Sequence, residues 1–449
     1  MMQPPSSTAG APGPSPRMAR RAALAGFVGT FIEYYDFALY GVLTVFLAPQ
    51  FFPSDNASTS FLAGLAVFGA GFVARPIGGI LFGRYGDRRG RRNALVLSVL
   101  LMGVCSTLVG ILPTYATLGA LAPLLLVLLR LGQGISAGSE MLGSITYVLE
   151  SVPRRRRVFM ASLTSMGAVL GGATSTVTAA VLTGVLGRDG MEDYGWRIAF
   201  LIAAPLTAIA LWIRTKLEDS PEFTRMIERR EVTRSPLREV LTVHRRNVLI
   251  AGGIAISANG AAGLAAWFHT YLVGNRDLPG GEVFAASAVS SILSAFLAPV
   301  AGRLADRYGQ RRTFAAVLVG YLVAAFPVMY MLGKATGFAG LIVALGVYSL
   351  LVAMVQAPAF TLIAELFPGP VRYTGANFGQ NIGTVLASGL APFAAGLLFT
   401  VTGSSLGPVI WIFGVCAIAF VALSVPAVQY VAGADPAADP GDAIGAERP

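Results

Sequence analysis

The chain has 449 residues, 55% of them hydrophobic and only 12% charged, with a mean hydropathy of +0.67. Soluble domains carry about a quarter charged residues, so this composition excludes an ordinary water-soluble globule and points to lipid as the solvent. The net charge of +10 does not imply nucleic acid, because the arginines gather in short breaks between apolar runs, at Arg84 to Arg92, Arg154 to Arg157, Arg225 to Arg246 and Arg303 to Arg312; that spacing orients membrane helices.

In chain order, residues 1–21 begin rich in Pro, Ser and Gly, turn basic, and are expected to be a disordered cytoplasmic segment. A helix needs about 20 apolar residues to cross a bilayer. Such runs lie near 22–48, 58–82, 93–113, 120–149, 158–186, 195–214, 246–273, 283–302, 313–333, 337–364, 373–401 and 405–431. The first contains Glu33 and Asp36 and is too long for a cleaved signal, so it reads as a retained membrane helix. The prediction is an all-α integral membrane protein of twelve helices with both termini on the arginine-rich, cytoplasmic side. A cytoplasmic loop over 215–245 separates six-helix bundles at 22–214 and 246–431, and an acidic cytoplasmic tail covers 432–449. Cys105 and Cys416 lie inside apolar runs and suggest neither a disulfide nor a metal site.

The two bundles repeat each other. Gly83-Arg-Tyr-Gly-Asp87-Arg88-Arg-Gly90 ends the second run, and Gly302-Arg-Leu-Ala-Asp306-Arg307-Tyr-Gly309 ends the eighth, 219 residues later. Glu150-x-x-Pro153-x-x-x-Arg157 follows the fourth run, and Glu365-x-x-Pro368-x-x-x-Arg372 the tenth, 215 residues later. Parallel halves of this kind are a transporter architecture that holds solute near the midplane between them.

These stretches resemble the major facilitator superfamily, whose signature cytoplasmic loop looks like Gly83 to Arg92 and Gly302 to Arg312. Within it the chain is similar to the metabolite:proton symporters, among them proline/betaine, α-ketoglutarate, citrate and shikimate permeases. The resemblance rests on Glu33-Tyr-Tyr-Asp36-Phe-Ala-Leu-Tyr40-Gly41, Arg75-Pro76-Ile-Gly78, Arg130-Leu-Gly-Gln133-Gly134 with Gly138-Ser139-Glu140, Gly195-Trp196-Arg197-Ile198, Arg214 with Glu218-Asp-Ser220-Pro221-Glu-Phe223, and Glu365-Leu-Phe-Pro368 with Arg372-Tyr-Thr-Gly375. Two positions depart from the family pattern, Tyr34 in place of Trp and Ser139 in place of Gly. The resemblance implies the major facilitator fold, with a latch in which Asp87, Arg88, Arg92, Asp306 and Arg307 meet the caps at Glu150 or Glu365, and Arg157 and Arg372 belong to the same face. Gly167-Ala168-Val-Leu-Gly171-Gly172 nearly matches the antiporter pattern but lacks its proline, which tilts the reading toward uptake.

Charge at mid-bilayer is costly and marks a cavity with partners. With a rise of 1.5 Å per residue, Glu33 and Asp36 lie roughly 18 and 22 Å in, Glu140 about 15 Å and Arg130 about 30 Å. Glu33, Asp36 and Tyr40 share one helix face, as do Gln133, Ser136 and Glu140. A carboxylate in a low dielectric holds a proton more readily unless a cation compensates, so Asp36, Glu33 and Glu140 are the candidate proton carriers. Arg130, Arg75, Tyr34, Tyr40 and Gln133 are candidate solute contacts, a guanidinium fork suiting a carboxylate. The second bundle offers neutral candidate solute contacts, Asn259, Gln356, Asn377 and Asn381, besides Gln380 and an outer His269. The expected function is proton-coupled uptake of a small organic acid or a zwitterion such as proline or betaine, with an antiporter or facilitator of the same fold as the alternative. The proton gradient replaces any cofactor. Solute, protons and lipid are the expected partners, with no nucleic acid and a functional monomer, in a bacterial inner membrane. Only His244 and His269 occur, without metal-ligand spacing, so a metal site or membrane enzyme is not expected.

Overall fold

In hydrocarbon every backbone polar group must be satisfied within the protein, which leaves runs of this length the helix or the closed barrel. The computed structural model describes residues 16–334, 337–426 and Tyr430, so residues 1–15 and 432–449 lie outside the described residues. The membrane passes are α1 (Pro16–Phe51), α2 (Ala57–Arg89), α3 (Arg91–Ile111), α4 (Leu121–Ser151), α5 (Arg157–Gly190) and α6 (Trp196–Leu201 continued by Ala203–Thr215). In the second half they are α7 (Arg245–Gly274), α8 (Gly280–Ala295 and Ala298–Tyr308), α9 (Gln310–Lys334), α10 (Phe338–Glu365), α11 (Arg372–Ser388 and Ala391–Thr402) and α12 (Val409–Ser424). Ten stretches are long and apolar enough to cross a bilayer. One of these, Arg154–Thr215, leaves the helical conformation at Gly187 and returns as α6, and the shorter apolar α12 completes twelve passes.

Two boundaries correct the sequence reading. The first helix already includes Pro16, the first described residue, so residues 16–21, expected to be disordered, are helical. The repeated motif, expected as a loop, is helix as far as Arg89 and Tyr308. The whole turn is made by one residue in each half, Gly90 (φ 103) and Gly309 (φ 92), a region open to glycine and strained for other residues. The 215–245 loop is not wholly irregular either, since it carries short helices at Pro221–Glu228 and Pro236–Thr242.

The halves share one packing plan. The first packs α1 on α5, α2 on α4, and α3 on α4 and α6; the second packs α7 on α11, α8 on α10, and α9 on α10 and α12. Large apolar side chains such as Val73, Val185, Leu249, Val323 and Phe393 are exposed, as suits a lipid-facing belt. Lipid removes the hydrophobic drive between helices, so association rests on close approach of small residues and on polar bonds. Between α2 and α4, a Cβ on Gly134 would strike the Gly71 carbonyl and one on Gly138 the Arg75 carbonyl. A Gly134→Ala change is therefore expected to lower stability by about 1–3 kcal/mol. Gly172→Ala, at a position with open space around it, should leave it unchanged; thermal unfolding in detergent compares the two.

Candidate functional site

The first half carries a cluster of charge far from either membrane face. On α1, Glu33 and Asp36 are 2% and 0% exposed, and none of their four carboxylate oxygens has a hydrogen bond. Arg75 of α2 approaches Glu33 at 3.8 Å. Arg130 of α4, fully buried, donates to Gln133 Oε1 at 3.0 Å and to the Phe37 carbonyl at 3.1 Å. Gln133 in turn donates to the Ser106 hydroxyl of α3 at 2.8 Å, and Ser106 and Arg130 both face Asp36. The guanidinium carbons of Arg75 and Arg130 lie 4.3 and 4.1 Å from the centre of the Phe37 ring, with Tyr34 and Phe72 beside the first and Tyr40 and Phe68 beside the second. Nε of each arginine is buried without a partner. The arrangement is two cations held against aromatic rings, two acids that accept no hydrogen bond although Arg75 and Ser106 lie near them, and unused N–H groups that a solute could meet.

Other predicted site residues have different surroundings. Glu140 is bound by Arg214 of α6 in a tight pair and accepts from Ser98 and Ser144 hydroxyls at 2.9 Å each; its bonds are complete, unlike those of Glu33 and Asp36. Asn259 donates to Ala255 and Asn377 to Tyr373, each one turn back on its own helix. Asn381 donates across the halves to the Gly138 carbonyl at 2.5 Å and so pins α11 to α4. Gln356 and Gln380 keep buried side-chain carbonyls without a donor and remain available to a ligand. His269 meets the Ser287 hydroxyl at 2.8 Å, joining α7 to α8.

The polar contacts between halves gather at the arginine-rich face. Asp87, 1% exposed, accepts the backbone N–H groups of Tyr373 and Thr374 at 3.1 and 2.8 Å, the first turn of α11. Asp306 does the same for Val158 and Phe159 of α5, at 3.0 and 2.9 Å. Each acid thus sits at the positive end of a helix belonging to the other half. The motif glycines let that helix approach, because a Cβ on Gly83 would lie 2.8 Å from the Thr374 Cα and one on Gly302 2.8 Å from the Phe159 Cα. Around this grip the caps exchange partners: Glu150 pairs with Arg372 at 3.2 Å and Glu365 with Arg157 at 3.1 Å.

The predicted latch needs correction in its arginines. Arg88 and Arg307 are exposed, Arg307 lying over the ring of its neighbour Tyr308. Arg92 donates to the carbonyls of Arg214 and Thr215, closing the end of α6 rather than meeting an acid. Arg91, which sequence reasoning passed over, is the latch cation: fully buried, it pairs with Asp87 at 3.1 Å and Glu150 at 3.2 Å and donates to the Gly369 carbonyl of the other half at 2.7 Å. Its counterpart 219 residues on is Gln310, which donates to Glu365 at 2.9 Å. The loop after α6 joins in, with Ser220 donating to Glu150 at 2.5 Å and Glu222 pairing with Arg372 at 2.6 Å. Asp219 accepts the N–H of Arg91 at 2.9 Å and fills the space beside Gly90; burial pushes its carboxyl above the usual carboxylate range, and the N–H groups of Ser220, Arg91 and Arg92 pull it back.

The sequence profile described as Major Facilitator Superfamily matches residues 26–382 and 280–447. The chain belongs to the major facilitator superfamily. It is 34% identical over 391 residues to the inner membrane metabolite transport protein YhjE of Escherichia coli K12, covering 85% of this chain and 88% of that protein. It is 32% identical over 423 residues to the ectoine/proline transporter ProP of Corynebacterium glutamicum, covering 91% and 84%. Among solved structures, the proton:xylose symporter XylE of E. coli superposes with a TM-score of 0.72 at 16% identity, covering 92% of this chain and 96% of that one. That likeness establishes the fold; the relatives and the profile make this a multi-pass membrane transporter of the superfamily.

Within this superfamily member the doubled acid-to-helix grip gives a direct test. Asp87→Asn keeps the shape but offers one acceptor to two buried N–H groups, which costs about 1–3 kcal/mol of the closed arrangement. The expected outcome is greater thiol labelling of a Ser151→Cys reporter, a buried position at the end of α4, in the Asn variant than in its parent.

Proposed function

We propose that the protein takes up a small carboxylate-bearing metabolite, an organic acid or a zwitterion of the proline or betaine type, together with protons, by alternating access. The reading is carried by one observation: the four oxygens of Glu33 and Asp36 are buried without a hydrogen bond beside Arg75 and Arg130. An ionised carboxylate without a donor is costly in such surroundings. A proton removes that cost, and a solute carboxylate on the arginine N–H groups replaces the negative charge that the proton cancels. Loading both together and releasing both together is symport. Arg75, Arg130, Tyr34, Tyr40 and Gln133 form the solute side of the site, and the unpaired side-chain carbonyls of Gln356 and Gln380 are the second half's candidates to complete it. The ectoine/proline transporter supports the zwitterionic class by its name.

The arginine-rich face is the cytoplasmic one on this reading, by the distribution of positive charge. Both termini then lie inside, and the latch closes the inner face. YhjE, an inner membrane protein by name, supports the same bacterial membrane here. The protein works as a monomer, with the proton gradient as its energy source and no cofactor.

In proteoliposomes with an inward proton gradient, radiolabelled proline, glycine betaine, shikimate and 2-oxoglutarate are the probes. The wild type is expected to accumulate at least one of them and to make the outer medium more alkaline as it does so. The Glu33→Gln, Asp36→Asn double variant is expected to lose the accumulation. Undiminished accumulation by that variant, or uptake by the wild type indifferent to the gradient, overturns the proposal.

A further inference from the structure

Tyr373, on the first turn of α11, is fully buried and its hydroxyl has no hydrogen-bond partner. Its backbone N–H is one of the two that Asp87 holds. Its ring crosses the interface between halves and ends over Gly143 of α4, where all three atoms nearest to an added Cβ belong to the phenol end of Tyr373. Gly143 is three residues past Glu140, so the hydroxyl lies on the same face of α4 as the Glu140–Arg214 pair. The charged groups facing Tyr373 are Glu140, Arg214, Arg91 and Asp87.

The Glu140–Arg214 pair reaches the deep site on its other side. It fills the space at Gly29 of α1, one turn before Glu33, and the charged groups facing Glu33 are Arg75, Glu140, Arg214 and Asp36. A line of neighbouring charged and polar groups therefore runs from Glu33 through Glu140 and Arg214 to Tyr373, whose backbone N–H is held by Asp87 of the latch.

The second latch lacks this line. The residue 215 positions before Tyr373 is Val158, and the one 215 positions after Glu140 is Val355. Val158 gives Asp306 the same backbone bond, at 3.0 Å, with no hydroxyl. The grip itself thus needs only a main-chain amide. A buried hydroxyl left unpaired costs free energy, and the Tyr373 hydroxyl ends beside Gly143, on the face of α4 that carries Glu140.

We infer that Tyr373 is a positioning residue that couples the charge state of the deep acids to the latch, its hydroxyl bonding to the Glu140–Arg214 pair in one state and releasing it in the other. Movement of the ring shifts the first turn of α11 and with it the amides that Asp87 holds, which is the two-state element that coupling requires. The inference rests on the symport reading.

The test is Tyr373→Phe in the same proteoliposomes, with whichever of the four radiolabelled probes the wild type accumulates. Solute exchange is measured at equal pH on both sides and accumulation under an inward proton gradient. The expected result is exchange within about twofold of wild type but accumulation reduced about tenfold, with a flattened pH profile of exchange. A packing defect would lower both activities in proportion. Proportional loss, or wild-type accumulation with a wild-type pH profile, overturns the inference while leaving symport intact. If the wild type itself shows no gradient-driven accumulation, symport fails and this inference fails with it.

Discussion

A carboxylate surrounded by low dielectric has to be completed by donors, and this structure is arranged around meeting that demand. Glu140 is closed by Arg214 and two serines, Glu150 by Arg91, Arg372 and Ser220, and Glu365 by Arg157 and Gln310. Asp87 and Asp306 are closed by helix N-termini, with Arg91 added beside Asp87. Glu33 and Asp36 break the rule, and the rule gives their exposure to the site its meaning. Buried acids are common here; among the described residues, Glu33 and Asp36 are the buried acids with both oxygens free of hydrogen bonds.

The duplication supplies a scaffold twice and the chemistry once. Both halves fold by the same helix pairings and both turn at a glycine with positive φ. Yet the deep acids and their arginines lie in the first half, while the second presents Gln356, Gln380 and asparagines that mostly bond to backbone. The latch follows the same bias: Arg91 on one side is matched by Gln310 on the other. In the symport proposed above, charge changes originate in one bundle and are received by the other, which fits two bodies rocking about a shared site.

The twelve passes and the internal repeat were legible in the sequence because hydropathy and arginine placement report directly on lipid as solvent. Glu33, Asp36 and Arg130 were legible as well, since charge in an apolar run is conspicuous. What escaped was pairing. Nothing in the spacing of Glu140 announces Arg214, 74 residues away, and no local pattern distinguishes the buried Arg91 from the exposed Arg88 and the carbonyl-capping Arg92. That choice is made by the turn at Gly90, which the sequence reading placed inside a loop rather than directly after a continuous helix. Asn381 similarly looked like a solute contact, because a buried amide bound to a neighbouring helix and one facing a cavity have the same local sequence.

The acid-to-amide grip has a consequence for how the two halves can drift apart in composition. Asp87 and Asp306 hold main-chain atoms, so the residues presenting those atoms are free to be Tyr-Thr in one copy and Val-Phe in the other without altering the bond. Proline alone, having no N–H to give, is barred from the positions of both gripped amides. A partner that any of nineteen residues can supply leaves almost no trace in a string of letters, and for the same reason it frees those side chains to acquire separate tasks.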